Sequence, residues 1–318
     1  MKRRDFMKLS AATALSATVA AMAPSALAAT ELDQTNGDLH TTVDRKTAAM
    51  GLGDGKTFAY DPENPYLNVN VGLFHNAQVM VDGQNVGTAT YYLPDGMDPW
   101  APAVIVLTPD NTTARAFSGS VTGRMWRTVA CKNKIAVAFF GPENGGSWNL
   151  SLSSAGRDDA AALDALYQLM RKKGVKLSGA FSMDKSHTAL VGYKEGGAAA
   201  LLFGARWASD FSSICAVDAV EVPAASLEAV GGEYVLPFPG DSTRGVQEEA
   251  IAAKTVDTPV WFVRSKADTT NKAALKFYLN ANQAVAKENG VYVSSRTGSA
   301  AEVWVTEKAQ CPAAIWEK

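Results

Sequence analysis

Short apolar runs alternate with helical segments along most of the chain, and this alternation limits the folds that the sequence can form. Each run is continuously apolar, which is typical of a strand buried on both faces. Six such runs lie at residues 101–110, 134–149, 187–193, 212–220, 258–268 and 301–307, and segments with helical spacing lie at 120–133, 156–174, 196–207 and 271–289. This order predicts an α/β fold with a mostly parallel central sheet and helices on both faces.

Two earlier runs have the alternating pattern of half-buried strands. They are LNVNVGLF at residues 67–74 and AQVMVDGQNVGTATYYLP at residues 77–94, and the second contains the turn dipeptide Asp82-Gly83. Alternation around such a turn predicts an antiparallel hairpin. We therefore expect residues 66–318 to form one α/β domain that begins with an N-terminal antiparallel hairpin.

The first 28 residues have the features of a removable export signal. A basic start precedes a mild apolar run at residues 9–22 and the small-residue site Ala26-Leu27-Ala28. Residues 3–8 read RRDFMK, which matches the twin-arginine pattern R-R-x-F-x-K. A membrane anchor is the alternative, but the run is shorter than the roughly 20 residues of a span. Residues 29–65 are polar and weakly patterned, and we expect them to form a weakly ordered lead-in to a periplasmic or secreted domain.

The composition argues against several classes of function. The chain has 30 basic and 32 acidic residues, a formal net charge of −2 and no basic stripe, so a nucleic-acid partner is not expected. No stretch after the signal has 18 uninterrupted apolar residues, so no membrane span is expected in the mature chain. With three cysteines, three histidines and no C-x-x-C motif, neither a metal site nor a cofactor is expected.

The stretch GYKEGG at residues 192–197 lies between an apolar run and a helical segment. With serine at position 194 it would match G-x-S-x-G, the nucleophile elbow, but position 194 is lysine. The residue at the tip of an elbow sits on a sharp turn, so its neighbours must be small. Gly192 and Gly196 meet that need, and the sequence predicts elbow geometry at Lys194.

Acidic residues follow two of the apolar runs, at the sheet edge where α/β proteins form their sites. Asp268 is the candidate triad acid, although it could instead cap the helix that begins near Asn271. Asp218 is the second candidate. The histidines offer no clear base, because His187 lies seven residues, or roughly 23 Å, before Lys194 on the same strand. The other two, His40 and His75, belong to the lead-in and the hairpin.

These residues resemble the α/β-hydrolase superfamily, and in particular its secreted esterases of the polyhydroxybutyrate-depolymerase and feruloyl-esterase kind. The resemblance covers residues 67–306 and rests on the segments YYLPDG, APAVIVLTPD, GRMWRTVACKNKIAVAFFGPENGGSWN, GYKEGG and TPVWFVRSKAD. It implies that Lys194 replaces the nucleophilic serine and that Asp268 is the triad acid. It also implies a histidine after the last strand, where this sequence has none.

The resemblance further implies an oxyanion site between two segments. One donor would come from the loop at residues 107–110, where Thr108-Pro109 replaces the usual His-Gly and Asp110 follows. The other donor would be the backbone N–H of Glu195. The aromatic residues Trp126, Trp148 and Tyr193 either stack on a ligand or belong to the core.

Three functional hypotheses follow. The first is an exported hydrolase-fold protein with a degenerate triad that binds an ester, a polyester fragment, a glycan or a protein partner without cleaving it. The second is an active carboxylic-ester hydrolase that uses a non-standard residue, or one supplied by a second chain or by residues beyond Lys318. The third is an unrelated α/β carrier. The sequence leaves open whether the protein is an enzyme.

Overall fold

The computed structural model describes residues 72–81, 84–94, 101–172, 187–206, 211–232, 258–265, 271–295 and 301–307. Within these ranges, ten strands form one sheet in the order β1-β2-β4-β3-β5-β6-β7-β10-β9-β8. The strands are β1 Gly72–Val81, β2 Gln84–Leu93, β3 Ala103–Leu107, β4 Ala136–Phe140, β5 Thr188–Tyr193, β6 Ser213–Val217, β7 Val260–Arg264, β8 Ala284–Ala286, β9 Val291–Ser294 and β10 Glu302–Glu307.

The middle of this sheet is parallel and its two edges are antiparallel. Strands β4, β3, β5, β6, β7 and β10 run parallel to their neighbours within that series. Strand β2 pairs antiparallel with β1 and with β4, and β9 pairs antiparallel with β8 and β10. Parallel strands end at a common edge, so the carboxyl ends of β3, β5, β6 and β7 lie side by side.

Six helices accompany these strands in the described part of the chain. They are α1 Ala114–Gly119, α2 Val121–Asn133, α3 Asp159–Lys172, α4 Glu195–Arg206, α5 Ala224–Gly232 and α6 Lys272–Ala281. Residues of α1 and α2 pack with Val104, Val106 and Val137 in one buried cluster. Residues of α3, α4, α5 and α6 pack with Ile105 and the other inward residues in a larger cluster. Because successive residues of a strand point to opposite faces, both faces of the sheet are covered. The predicted α/β fold, with its mostly parallel sheet, is confirmed.

The predicted helix at residues 271–289 is too long. Helix α6 ends at Ala281, and the residues after it turn into the β8–β9 pair. Buried Asn282 donates its Nδ2 hydrogen to the carbonyl of Thr258 at 3.0 Å, and Gln283 has a φ of 47°. A left-handed residue cannot continue the helix, so the chain reverses there.

Several predictions concern residues outside the described ranges. These are the export signal at 1–28, the lead-in at 29–65, the Asp82-Gly83 turn and Asp268. Within the described ranges, no helix combines the length and apolar character needed to cross a membrane. The same ranges hold no group of three histidine, cysteine or acidic side chains suited to a metal ion.

Candidate functional site at the carboxyl edge of the sheet

A sharp turn at Lys194 joins β5 to α4. The strand ends at Tyr193 and the helix begins at Glu195, so one residue makes the connection. Lys194 has a φ of 52°, which is uncommon for a long side chain. Its N–H donates to the carbonyl of Val217 at 2.9 Å, and its carbonyl accepts from Ala198 at 3.1 Å. These bonds to β6 and α4 hold the strained residue in place. This strand–turn–helix geometry is that of a nucleophile elbow.

The glycines around Lys194 are required by close backbone contacts. A Cβ atom on Gly192 would lie 1.9 Å from the carbonyl oxygen of Gly196. A Cβ atom on Gly196 would lie 2.4 Å from the carbonyl oxygen of Thr108. Both distances are far below van der Waals contact, so the backbone would have to move. The glycine pattern seen in the sequence is therefore a steric requirement of the turn and not an accident.

The side chain at the tip of the elbow is exposed to solvent. A lysine becomes a nucleophile when desolvation or a neighbouring cation favours its neutral amine. Lys194 is exposed, and the next residue in the sequence is the acid Glu195. The elbow therefore presents an exposed lysine side chain at its tip.

The loop after β3 is held from inside by Trp148. The indole Nε1–H donates to the carbonyl of Thr108 at 2.8 Å, and the Trp148 backbone N–H donates to Oδ1 of Asp110 at 3.0 Å. The Thr108 hydroxyl donates to the carbonyl of Thr112 at 2.7 Å. The predicted site residues Thr108, Asp110 and Trp148 are thus brought together, with the Asp110 carboxylate engaged in holding the loop.

One backbone donor of this loop is already used within the chain. Pro109 has no N–H, and the N–H of Asp110 donates to Oε2 of Glu195 at 3.3 Å. An oxyanion site needs free donors aimed at the place where negative charge develops. Here a carboxylate oxygen of Glu195 takes the place that a ligand oxygen would need at Asp110.

Of the three aromatic candidates, Trp126 and Trp148 are buried and Tyr193 is half-buried. Trp148 is 5% exposed, and its ring lies 6.1 Å from that of Phe140 and 6.3 Å from that of Phe203. The hydroxyl of Tyr193 accepts a hydrogen bond from Nε1 of Trp126 at 2.9 Å. Burial raises the pKa of Tyr193, and the bond from Trp126 opposes that rise. Both side chains are thus engaged in ring packing or hydrogen bonds within the protein.

A buried ion pair between Arg157 and Asp159 supports the same side of the site, and the sequence did not reveal it. Arg157 donates to the carboxylate of Asp159, to the carbonyl of Val86 at 2.8 Å and to the carbonyl of Gly141 at 3.1 Å. Its guanidinium lies 5.2 Å from the ring centre of Phe140. Burial raises the pKa of Asp159, and the charge of Arg157 counters that rise. In the sequence these residues read only as the acidic start of a helix.

Asp159 connects this ion pair to the segment that carries Trp148. Its Oδ2 accepts the backbone N–H of Asn149 at 2.6 Å. The Asn149 side chain in turn donates to the carbonyls of Ser153 and Arg157 at 2.7 and 3.0 Å. The segment that supports the β3 loop is therefore tied to the start of α3.

Asp218 lies at the end of β6, one strand away from the elbow. Its backbone φ is 47°, and its N–H donates to the carbonyl of Val263 at 2.8 Å. Its Oδ1 accepts the hydroxyl hydrogen of Ser265 at 2.6 Å. The second candidate acid is thus paired with a serine that sequence reasoning overlooked, because the two residues are 47 positions apart.

No described histidine lies next to the elbow. His187 precedes β5 and so lies at the opposite end of that strand from Lys194. His75 belongs to β1, and three strands separate β1 from β5. At about 4.8 Å per strand, β1 and β5 are on the order of 19 Å apart. His40 lies outside the described residues.

The sequence matches no protein-family model and no curated protein. Solved structures do match. An acetyl xylan esterase from Aspergillus awamori has a TM-score of 0.50 and 12% identity, over 74% of this chain and 92% of that chain. An S-formylglutathione hydrolase from Agrobacterium tumefaciens has a TM-score of 0.47 and 13% identity, over 81% of this chain and 90% of that chain.

Identities this low establish the fold and leave the activity open. The structure provides a parallel sheet with antiparallel strands at its start, and a sharp strand-to-helix turn at Lys194. Together with the likeness to the acetyl xylan esterase, these features identify the chain as having the α/β-hydrolase fold.

Proposed function

We propose that this chain is an exported α/β-hydrolase-fold protein that binds an ester or glycan ligand at the carboxyl edge of its sheet without cleaving it. The observation that carries this proposal is the elbow itself, whose tip presents an exposed lysine. In the nucleophile elbow that position carries the reacting hydroxyl. An elbow that keeps its backbone geometry but has an amine at its tip supports a site that binds a ligand without cleaving it.

The loop after β3 supports the same proposal. Stabilisation of an oxyanion by backbone donors is often the largest single contribution to acyl-transfer catalysis, and losing one donor costs about 10²–10³ in rate. The Asp110 N–H already donates to Glu195, and Pro109 offers no donor. We infer that the site lacks oxyanion stabilisation by this loop, in addition to lacking a serine at the tip of the elbow.

Export is a second part of the proposal, and it rests on the signal pattern and not on the site. It is supported by RRDFMK at residues 3–8 and by the small-residue site at 26–28. Replacing both Arg3 and Arg4 with lysine should keep the protein in the cytoplasm of a bacterium that has the twin-arginine pathway. Unchanged export of that variant, detected by cell fractionation, would contradict this part.

One observation favours the alternative of an active ester hydrolase. Ser265 donates its hydroxyl hydrogen to Asp218 at 2.6 Å, on the strand end next but one to the elbow. A carboxylate that accepts a serine proton is a weak version of the base–nucleophile pair that activates hydroxyls. Under this alternative, Ser265 would be the nucleophile and Asp218 its base.

The test is hydrolysis of short-chain p-nitrophenyl esters by the purified mature chain. We expect wild type to stay at the background rate of spontaneous hydrolysis without protein, and the Lys276→Ala variant, which removes an exposed amine on α6, to match wild type. Repeated turnover above that background would overturn the proposal. If turnover then disappears in Ser265→Ala but persists in Lys194→Ala, the serine alternative is correct.

The Lys194→Ser variant tests whether the bond to Glu195 keeps the Asp110 N–H from a substrate. We expect it to remain within about 10-fold of background, since a serine without a base or an oxyanion site gains little. A much larger gain would mean that the Asp110 N–H is available to substrate. That result would contradict the inference drawn from Glu195.

A further inference from the structure

Two arginines of α2 have buried guanidinium nitrogens that make no hydrogen bond. Arg127 is 4% exposed, and Arg124 is half-buried. The Nε atom of each arginine is buried and has no hydrogen-bond partner among the described residues. Buried charged groups in folded proteins are nearly always paired, because removing an unpaired charge from water costs a large free energy. Both side chains are therefore suited to an acceptor that the described part of the chain does not supply.

The two arginines are neighbours on the helix. Positions three apart lie on the same side of a helix, with about 5–6 Å between their Cβ atoms. Burial lowers the pKa of Arg127 to about 10, Tyr92 opposes this decrease, and the charge of Arg124 adds to it. Arg127 nevertheless keeps its charge at pH 7. Two positive charges thus lie close together, in surroundings that screen them less than water does.

The elements around these arginines supply no negative charge. Helix α2 packs against α1, β2 and β4. None of these four elements contains an aspartate or a glutamate. Residues 111–142 as a whole contain three arginines, two lysines and no acidic residue, in a chain whose formal net charge is −2. The positive charge of this segment is therefore a local feature that its own residues do not cancel.

Charge and shape favour a phosphate group as the ligand. A guanidinium has five donors in a planar fork and binds the oxygens of a carboxylate or a phosphate in pairs. A phosphate monoester carries a charge of about −1.5 to −2 at pH 7, which matches two guanidinium cations. A single carboxylate, with one negative charge, would leave one of the two cations uncompensated. A neutral ligand would leave both of them so.

We propose that Arg124 and Arg127 form an anion site on α2 that binds a phosphate group, either as free phosphate or as a small phosphate monoester. The half-buried Arg124 contacts the ligand near the surface, and Arg127 holds it from the buried side. A flat membrane surface cannot reach a side chain that is 4% exposed, so the ligand is a small molecule. The site shares no residue with the elbow or the β3 loop, and the inference does not depend on the proposed function.

The experiment is a calorimetric titration of the mature chain with inorganic phosphate and with glycerol phosphate, at constant ionic strength. We expect a Kd on the order of 1 mM for at least one of the two probes. Arg127→Lys should weaken binding by about 10-fold, because an ammonium keeps the charge but loses the paired donors. Arg124→Gln should weaken it by about as much, because a charged donor is lost. Binding of phosphate alone would indicate a site closed around the free ion, and binding of both probes a site open to monoesters.

Thermal unfolding supplies a second readout and a matched control. Phosphate at about 10 mM should raise the melting temperature of wild type by about 3 °C, relative to chloride at the same ionic strength. Arg127→Met should lose this increase. Lys276→Met also removes one positive charge, from the exposed side of α6, and should keep the increase. Arg127→Lys and Arg124→Gln keep the test informative if Arg127→Met fails to fold.

Three results would overturn the proposal. The first is an absence of binding by both phosphate probes. The second is equal binding by wild type, Arg127→Lys and Arg124→Gln, which would place the phosphate elsewhere on the protein. The third is binding of acetate as tightly as phosphate, which would make this a carboxylate site. The ester assay does not touch α2, so ester hydrolysis by a chain that binds phosphate would refute only the proposed function.

Discussion

The carboxyl edge of the sheet has a filled half and an open half. Beneath the ends of β3 and β4, Trp148 and the Arg157–Asp159 pair occupy the space and are tied to four backbone segments. At the ends of β6 and β7, a cavity remains between Asp218 and Phe262. The elbow lies between the two halves. The comparison teaches that the half nearest the β3 loop is filled by packed side chains, while a cavity remains on the other side of the elbow.

The largest expected effect comes from removing the ion pair of the filled half. Arg157 and Asp159 have side chains that are 6% and 2% exposed, and breaking a buried pair by removing one partner costs about 3–5 kcal/mol. We expect Arg157→Met to lower the melting temperature by on the order of 10 °C. Thermal unfolding of Arg115→Met, which removes an exposed arginine of α1, provides the control and should change little.

The stability of the Arg157→Met variant should also depend on pH. Burial already raises the pKa of Asp159 above its usual 3.8, and loss of Arg157 removes the charge that opposes the rise. The penalty for a buried, unpaired carboxylate is present above the folded-state pKa and disappears as pH falls through it. The stability deficit of Arg157→Met should therefore narrow in acid. A deficit that is constant between pH 7 and pH 4 would mean that the charge of Asp159 is not the cause.

A smaller effect is expected at the elbow. Gly192→Ala would place a Cβ atom 1.9 Å from the carbonyl of Gly196, and such overpacking costs about 1–3 kcal/mol. Gly119→Ala is the matched control, because a Cβ atom there meets nothing within 4 Å. Urea unfolding should separate the two variants clearly. Equal stability of Gly192→Ala and Gly119→Ala would show that the turn relaxes easily and is not a rigid boundary between the filled half and the open half.

The smallest expected effect has the opposite sign. Lys194 is held in a left-handed conformation that costs roughly 1–2 kcal/mol for most residues, and asparagine adopts it more readily. Lys194→Asn should stabilise the protein by about 0.5–1 kcal/mol in the same unfolding assay. If this variant is instead less stable, the lysine side chain makes a stabilising contact that exceeds the backbone strain.

The strand–helix alternation and the elbow were predictable because both rest on local pattern. Apolar runs of strand length and the glycines beside Lys194 are visible in a few consecutive residues. The β8–β9 pair was not predictable, since Gln283 and the residues of β8 lie within the segment 271–289, which has helical spacing. The buried bond from Asn282 to Thr258 and the left-handed backbone of Gln283 end the helix there.

The interior of the site was harder to foresee because its contacts join distant residues. Arg157 reaches Val86 across 71 positions, and Asp110 reaches Glu195 across 85. Trp148 was predicted as a binding residue, and the structure shows it buried under the β3 loop, where its indole N–H donates to the carbonyl of Thr108. The cavity depends on which strands become neighbours, and this order emerges only in the folded sheet.

Because the Asp110 N–H donates to Glu195, a carboxylate of the chain itself competes with any ligand for this donor. Because the carboxylate is tethered to the elbow, its effective concentration at the Asp110 N–H is set by geometry and does not fall on dilution. A carbonyl ligand at this donor must displace the Glu195 carboxylate, and its affinity falls in proportion to the effective concentration of that carboxylate. A ligand that binds elsewhere on this edge does not meet that competition.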